Sequence, residues 1–202
     1  PVLSSIDTQS IDEDNTFTYT LSASDVDNIE LEYTASVDGN ASVSIDGSIL
    51  SVSPYLNYYG DITVSVTVSD GQLTDSGSFT LVVNPVNDPP VLSSIGSQSV
   101  DEDNIFTYTL SANDVDGDAL AYSATTSDGS VSVTGTTLTL TSDQDFNGDI
   151  QIDVTVDDGA LTDFGSFTLT VNPVNDAPVL SSIDTQSIDE DNTFTYTLSA
   201  SD

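Results

Sequence analysis

Clusters of carboxylate and amide side chains recur at matching places along this chain. The first cluster reads Asp12-Glu13-Asp14-Asn15 and returns as Asp101-Glu102-Asp103-Asn104 and as Asp189-Glu190-Asp191-Asn192. The others are Asp25-Val26-Asp27 with its copy Asp114-Val115-Asp116, the single acids Asp70 and Asp158, and the pairs Asn87-Asp88 and Asn175-Asp176. Hard oxygen ligands in this number suit calcium, which accepts roughly six to eight oxygens in flexible geometry. Asp, Asn and Gly also form turns, and for any single cluster that simpler interpretation stays open.

The composition makes a dissolved cation the natural counter-charge for these clusters. The chain has 34 acidic residues and no Lys, Arg or His, so no salt bridge between side chains can form. Crowded carboxylates repel one another and oppose the compact state. Magnesium demands a stricter octahedron, and zinc lacks its usual His and Cys ligands here. Nucleic acid and anionic membrane surfaces are unfavourable partners because both are recognised through Lys and Arg.

An enzyme is also disfavoured by the residue types. Without His, Cys, Lys or Arg, only carboxylates and hydroxyls remain for acid–base or nucleophilic chemistry. The acids fall in loops, with no sign of a cleft. No apolar run approaches the ~18 residues of a membrane span, so we expect no membrane insertion.

The clusters repeat because whole segments repeat. Residues 1–25 return without change as residues 178–202, and residues 90–116 form a third, closely similar copy. We therefore predict repeat one at 1–88, repeat two at 89–176 and the first two strands of a truncated third repeat at 177–202, in a window on a longer array. Proline stiffens the short connections between repeats. Six of the seven prolines lie there, namely Pro1, Pro85, Pro89, Pro90, Pro173 and Pro178.

Alternation of apolar and polar residues predicts strands throughout each repeat. Phe17, Tyr19 and Leu21 alternate with hydroxyl residues, as expected of half-buried strands. Asp-Gly pairs mark the turns. We predict about seven strands per repeat, near 6–11, 15–23, 31–37, 41–46, 48–53, 61–69 and 77–84. The fold class is therefore all-β, with tandem Greek-key β-sandwiches of the immunoglobulin or cadherin type.

Three segments carry a resemblance to a known family. Ser22-Ala23-Ser24-Asp25-Val26-Asp27, Val66-Thr67-Val68-Ser69-Asp70-Gly71, and the linker Val-Asn-Asp-Pro-Pro-Val or Val-Asn-Asp-Ala-Pro-Val are similar to cadherin repeats. They more closely resemble the bacterial cadherin-like tandem repeats of large secreted or cell-surface adhesins of the RTX type. The resemblance covers the whole chain.

The resemblance implies calcium ligands shared across each joint. In cadherins an upstream Glu, a linker Asn-Asp, a downstream Asp-x-Asp and a further downstream Asp share the ions. At the first joint these are Glu13, Asn87, Asp88, Asp114, Asp116 and Asp158. At the second joint they are Glu102, Asn175, Asp176 and Asp202. By the same analogy Asp25, Asp27 and Asp70 serve a preceding repeat.

We therefore expect calcium-rigidified extender repeats of an extracellular adhesin or fibre, which space a binding domain from the cell. Neighbouring repeats are the expected partners, and domains outside this window contact surface glycans or other cells. One alternative is a filament subunit joined head-to-tail through calcium. Another is a carbohydrate-binding repeat, because Tyr55, Tyr58 and Tyr59 form an aromatic cluster that repeat two lacks. Packing of these tyrosines in the core or at the sandwich edge is the competing interpretation.

Overall fold

A computed structural model describes residues 1–201 of the chain. Its Cα positions divide into two compact units, Pro1–Asp88 and Pro89–Asp202. Every regular element in the described residues is a β-strand. Within the same range no helix is long and apolar enough to cross a membrane.

The first unit contains nine short strands. They are β1 (Val2–Leu3), β2 (Gln9–Asp12), β3 (Phe17–Thr20), β4 (Ala23–Ser24), β5 (Glu32–Val37), β6 (Ala41–Asp46), β7 (Ile49–Pro54), β8 (Gly60–Ser69) and β9 (Thr74–Asn84). Four strands form one sheet in the order β2-β9-β8-β5, and three form a second in the order β3-β7-β6. Strands β1 and β4 pair separately. The β2–β9 pairing is parallel, whereas the other pairings of the unit are antiparallel.

The core of the first unit lies between its two large sheets. Alternate residues of β8 and β9 are almost fully buried, and they pack with residues of β7 from the opposite sheet. The buried set is Leu21, Ala41, Leu50, Val52, Ile62, Val64, Val66, Phe79, Leu81 and Val83. The period of two in the sequence therefore corresponds to one buried and one exposed face on each strand, which confirms the predicted all-β sandwich.

The second unit repeats this plan. Its strands are β10 (Val91–Leu92), β11 (Gln98–Asp101), β12 (Phe106–Thr109), β13 (Ala112–Asn113), β14 (Ala121–Thr126), β15 (Ser130–Thr134), β16 (Thr137–Thr141), β17 (Gly148–Asp157) and β18 (Thr162–Asn172). The sheet orders are β11-β18-β17-β14 and β12-β16-β15. Further along, β19 (Val179–Leu180) pairs with β20 (Ala200–Ser201). The assignment of residues 177–202 to a separate repeat stays a prediction.

The start of each unit differs from the predicted strands. The expected strand at 15–23 is two strands, because the chain changes partner near Leu21: β3 pairs with β7, whereas β4 pairs with β1. The expected strand at 6–11 lies at Gln9–Asp12, and the additional strand β1 precedes it. One turn follows the predicted chemistry closely. Gly47, with a φ of +59°, lies in the two-residue turn between β6 and β7, where a positive φ is required.

Candidate metal sites

Each unit carries acidic side chains at both of its ends, and the strand order explains why. In unit one the turn between β8 and β9 places Asp70 at one end of the sandwich. Because β2 runs parallel to β9, with Asp12 opposite Asn84, the next residue Glu13 lies at the other end. The predicted ligands of a unit therefore form two separate groups.

The first group in unit one consists of Asp25, Asp27 and Asp70, which line one shallow cavity beside Pro1. The Pro1 ammonium lies 2.7 Å from Oδ2 of Asp25 and 3.9 Å from Oδ2 of Asp70. The side chains of these two aspartates are 8 % and 7 % exposed, respectively. Two of the predicted ligands, Asp25 and Asp70, therefore lie close together at this end of unit one.

The same contacts shift the pKa values of this group. The hydrogen bond to the Pro1 ammonium, together with the backbone N–H groups of Asn28 and Asp27, lowers the pKa of Asp25 to about 2. The backbone N–H groups of Leu73 and Gln72 lower the pKa of Asp70. The hydrogen bond to Asp25 raises the pKa of the Pro1 ammonium in turn. The charged forms of all three groups are thereby favoured.

The corresponding loop of unit two gathers three carboxylates. Oδ1 of Asp114 accepts hydrogen bonds from the N–H groups of Asp116, Gly117 and Asp118, at 3.0, 3.0 and 3.2 Å. Its Oδ2 is buried and has no hydrogen-bond partner within the described residues. Carboxylate oxygens of Asp114, Asp116 and Asp118 all lie within 4.8 Å of one another. Of these, Asp118 was not among the predicted ligands, although Asp-Gly-Asp after Asp-x-Asp was the available signal.

Asp158 occupies the same β-turn in unit two as Asp70 does in unit one. Its Oδ1 accepts hydrogen bonds from the N–H groups of Ala160 and Leu161, at 2.6 and 2.7 Å. Asp70 accepts those of Gln72 and Leu73 in the same way. Part of each carboxylate therefore serves the turn, as the simpler interpretation of these residues requires.

Glu13 is a buried acidic residue at the opposite end of unit one. It is only 3 % exposed. The N–H of Val86 donates to its Oε1 at 2.7 Å, and its own N–H donates to the carbonyl of Asn84. Its Oε2 is buried without a hydrogen-bond partner among the described residues. A buried carboxylate oxygen without a donor is costly unless a cation compensates it. Asn87 and Asp88, two other predicted ligands, follow Val86 directly in the chain.

Glu102 takes the equivalent place in unit two, at 5 % exposure. The N–H of Val174 donates to its Oε1. Here Oε2 has a weak partner, because Nδ2 of Asn147 lies 3.5 Å away. In unit one Tyr59 stands where unit two has Asn147. The two buried glutamates thus differ in how many hydrogen-bond donors the protein itself offers to their carboxylate oxygens.

A further group of acids at this end of unit two was not predicted. Carboxylate oxygens of Asp103, Asp145 and Asp176 lie within 4.8 Å of one another, and all three residues are exposed. Oδ1 of Asp103 also accepts the N–H of Asp145 at 3.2 Å. In unit one Asn57 takes the place of Asp145 and its N–H bonds to Asp14, so one carboxylate is absent. Of the predicted ligands, Asp176 belongs to this group.

Two of the remaining predicted ligands are the linker asparagines, and each donates a hydrogen bond to the residue that follows it. Nδ2 of Asn175 donates to the carbonyl of Asp176 at 2.8 Å, and Nδ2 of Asn87 donates to the carbonyl of Asp88 at 3.2 Å. In both bonds the side-chain amide of the asparagine is the donor. The predicted ligand Asp202 lies outside the described residues. The donor set at both ends thus consists of carboxylate and amide oxygens, which fits calcium.

Comparison with known proteins gives a family match over both units. The family described as Bacterial Ig domain matches residues 1–82 and 87–172. Chitinase A of Pseudoalteromonas piscicida is 35 % identical over 109 residues, which cover 50 % of this chain and 13 % of that protein. The chain therefore matches only a small part of this curated relative.

Solved structures with a similar fold include proteins of several kinds. Form II of human protocadherin-24 EC1-2 aligns with a TM-score of 0.49 at 18 % identity, over 78 % of this chain and 88 % of that one. The endo-fucoidan hydrolase MfFcnA4 from glycoside hydrolase family 107 gives 0.38 at 17 % identity, over 84 % and 28 %. An I-band fragment from titin gives 0.35 at 17 % identity, over 88 % and 65 %.

Proposed function

This chain belongs to the bacterial Ig domain family, and from that membership we propose that its repeats are calcium-rigidified extender modules of an extracellular adhesin or fibre. Bacterial Ig domains are typically extracellular or surface modules. Tandem repetition gives such a protein length in proportion to the number of repeats. The proposed role is mechanical: the repeats hold a binding domain away from the cell surface.

The observation that carries the calcium proposal is the buried Oε2 of Glu13, which has no hydrogen-bond partner among residues 1–201. The chain has no Lys, Arg or His to satisfy it. A dissolved divalent cation is the remaining source of positive charge, and calcium prefers this kind of oxygen ligand. We propose Glu13, Asn87 and Asp88 as ligands at one end of a repeat. Their counterparts in unit two are Glu102, Asn175 and Asp176, with Asp202 as a further proposed ligand.

At the other end of a repeat we propose Asp114, Asp116 and Asp158 as ligands, with Asp25, Asp27 and Asp70 in unit one. The buried Oδ2 of Asp114, which has no hydrogen-bond partner among residues 1–201, supports a cation at this end. When bound, calcium supplies the charge that lets these carboxylates lie close together. Without it their mutual repulsion opposes an ordered arrangement of successive repeats.

Small-angle X-ray scattering tests the proposal on the 202-residue chain. In millimolar calcium we expect the molecules to share a narrow range of maximum dimensions. After EDTA is added, we expect that range to become broader. Asp114→Ala combined with Asp116→Ala removes the calcium response, while the far-ultraviolet circular dichroism of the sandwiches is retained. An unchanged scattering profile in EDTA contradicts calcium rigidification.

A matched control separates specific binding from a general charge effect. Asp61→Ala combined with Asp153→Ala also removes two carboxylates, but these lie on the exposed faces of β8 and β17 and are not among the proposed ligands. The control retains the calcium response if the ions bind at the ends of the repeats. A response that is lost equally in both double variants indicates simple screening and contradicts the proposed sites.

The head-to-tail filament is a second arrangement of the same chemistry. Sedimentation velocity in calcium distinguishes it from the single-chain stalk. A sedimentation coefficient that rises with protein concentration favours the filament, whereas a constant value favours the stalk.

A further inference from the structure

An aromatic loop at one end of unit one stands out from the rest of the surface. Residues 55–59, here called the tyrosine loop, connect β7 to β8. Within it Tyr55 is 59 % exposed, Leu56 81 % and Tyr59 56 %. Only Tyr58 packs against the core. Of the two interpretations that the sequence left open, core packing therefore applies to Tyr58 alone.

The loop is held in place by its backbone. The N–H of Tyr55 donates to the carbonyl of Asn40 at 2.8 Å, and the N–H of Tyr58 donates to the carbonyl of Tyr55 at 3.0 Å. Asn57 has a φ of +56°, and its N–H donates to Oδ1 of Asp14 at 2.9 Å. The exposed side chains are therefore presented from a fixed turn, which lowers the entropic cost of binding a ligand.

The fold does not require apolar residues at these places. Unit two has Asp143, Gln144 and Asn147 where unit one has Tyr55, Leu56 and Tyr59. The loop of unit two nevertheless makes the same turn, since the N–H of Phe146 donates to the carbonyl of Asp143. Asp145 has a φ of +57°, which matches that of Asn57. The same turn therefore forms in unit two without exposed apolar side chains at these positions.

We propose that the tyrosine loop binds a neutral polysaccharide. Tyrosine combines an apolar ring face, which can stack on the C–H face of a sugar, with a hydroxyl that can hydrogen-bond to it. Asn57 lies in the same loop, and Asp14, which accepts its N–H from the β2–β3 connection, offers further polar atoms. The net charge of −34 repels anionic glycans and anionic membranes, so a neutral chain is the favoured class.

The size of the surface favours a sugar over a protein. A stable protein interface buries about 800 Å² per partner and uses about 20–30 residues on each side. The tyrosine loop offers three exposed apolar side chains, of which two are aromatic. Such an area suits one or two sugar rings. It falls short of what a second copy of the chain or another protein needs.

Affinity electrophoresis of the 202-residue chain tests the proposal. Native gels contain laminarin, hydroxyethylcellulose, xyloglucan or dextran, and mobility is compared with a gel that lacks polysaccharide. The test variant combines Tyr55→Asp, Leu56→Gln and Tyr59→Asn. These are the residues of the unit-two loop, so the variant is expected to fold, and its unfolding midpoint checks this. Because each variant is compared with itself, its changed charge does not affect the result.

The matched control is Phe164→Ser. Phe164 is 81 % exposed on β18, and unit one has Ser76 at the equivalent position. We expect at least one polysaccharide to retard the native chain and to retard the control equally. We expect the loop variant to bind that polysaccharide at least about tenfold more weakly.

Three results overturn the proposal. They are no retardation by any of the four polysaccharides, retardation that the loop variant retains, and retardation that Phe164→Ser abolishes. Concentration-dependent dimerisation that the loop variant abolishes identifies a second copy as the occupant, which also contradicts the proposal.

Discussion

Replacing Glu13 by Gln should have opposite effects in chelator and in calcium. In EDTA the native chain buries the Glu13 carboxylate at 3 % residue exposure, and its Oε2 has no donor within the described part of the chain. Glutamine retains an oxygen to accept the N–H of Val86 and removes the buried charge. An unsatisfied buried polar group costs about 1–3 kcal/mol, and more when it is charged. We therefore expect Glu13→Gln to stabilise unit one in EDTA by about 1–2 kcal/mol, after allowance for the new amide, which itself lacks a full set of partners.

This free energy converts into a measurable shift. For a domain of this size, 1 kcal/mol moves the unfolding midpoint by about 4–8 °C, so we expect a rise of roughly 5–15 °C in EDTA. In saturating calcium the order reverses, because the native carboxylate binds the ion and the amide binds it more weakly. Differential scanning calorimetry with and without calcium measures both effects on one sample.

Glu102→Gln provides the matched comparison. Oε2 of Glu102 already has a weak donor in Asn147, so the gain in EDTA should be smaller than for Glu13→Gln. Two outcomes refute the reasoning. Destabilisation of Glu13→Gln in EDTA means that the protein satisfies the carboxylate without a cation. A full calcium-induced shift in Glu13→Gln means that Glu13 is not a ligand.

Three other predictions follow from single contacts. The two oxygens of Asp75 accept the N–H groups of Leu3 and Ser76, at 2.8 and 2.9 Å, and Asp75→Asn leaves one oxygen for both, so chemical denaturation should show a loss of about 1–2 kcal/mol. Equal stability of variant and native chains contradicts this role. The pKa of Asp25, about 2 against an ordinary 3.8, stabilises the fold fully above about pH 4 and progressively less as the pH falls to 2. Asp25→Asn should therefore flatten the acid limb of the stability profile, and an unaltered limb contradicts the ion pair. Leu50→Ala, at a fully buried position, should cost about 2–5 kcal/mol in denaturant titration.

The sequence was most informative where structure is local. Alternation along β8 places Ile62, Val64 and Val66 on one face, and that face is the core. The Asp46-Gly47 pair predicted a turn, and the two-residue β6–β7 turn lies there. Both features depend on residues within a few positions of each other, so pattern and propensity suffice to predict them.

The strand breaks were harder to predict because they depend on the partner strand. Nothing in Phe17–Ser24 marks the point at which pairing passes from β7 to β1. The hydrogen bond from the N–H of Leu3 to Asp75 joins residues 72 positions apart, and the sequence alone did not indicate it. The same contact, Asp163 to Leu92, recurs in unit two. Such contacts follow from sheet topology, which brings distant segments together.

By itself, the sequence determined the all-β class, the repeat and the chemistry of the acidic clusters. Those properties depend on residue type and spacing, which are local. Only the tertiary structure decided which carboxylates are buried and which lie together. Glu13 is buried because the parallel β2–β9 pairing carries it beside Val86, which lies 73 positions away. Asp103 meets Asp145 and Asp176 for the same reason, since three loops converge at one end of unit two. The clusters were therefore predictable as ligands, whereas their grouping required the sheet that positions them.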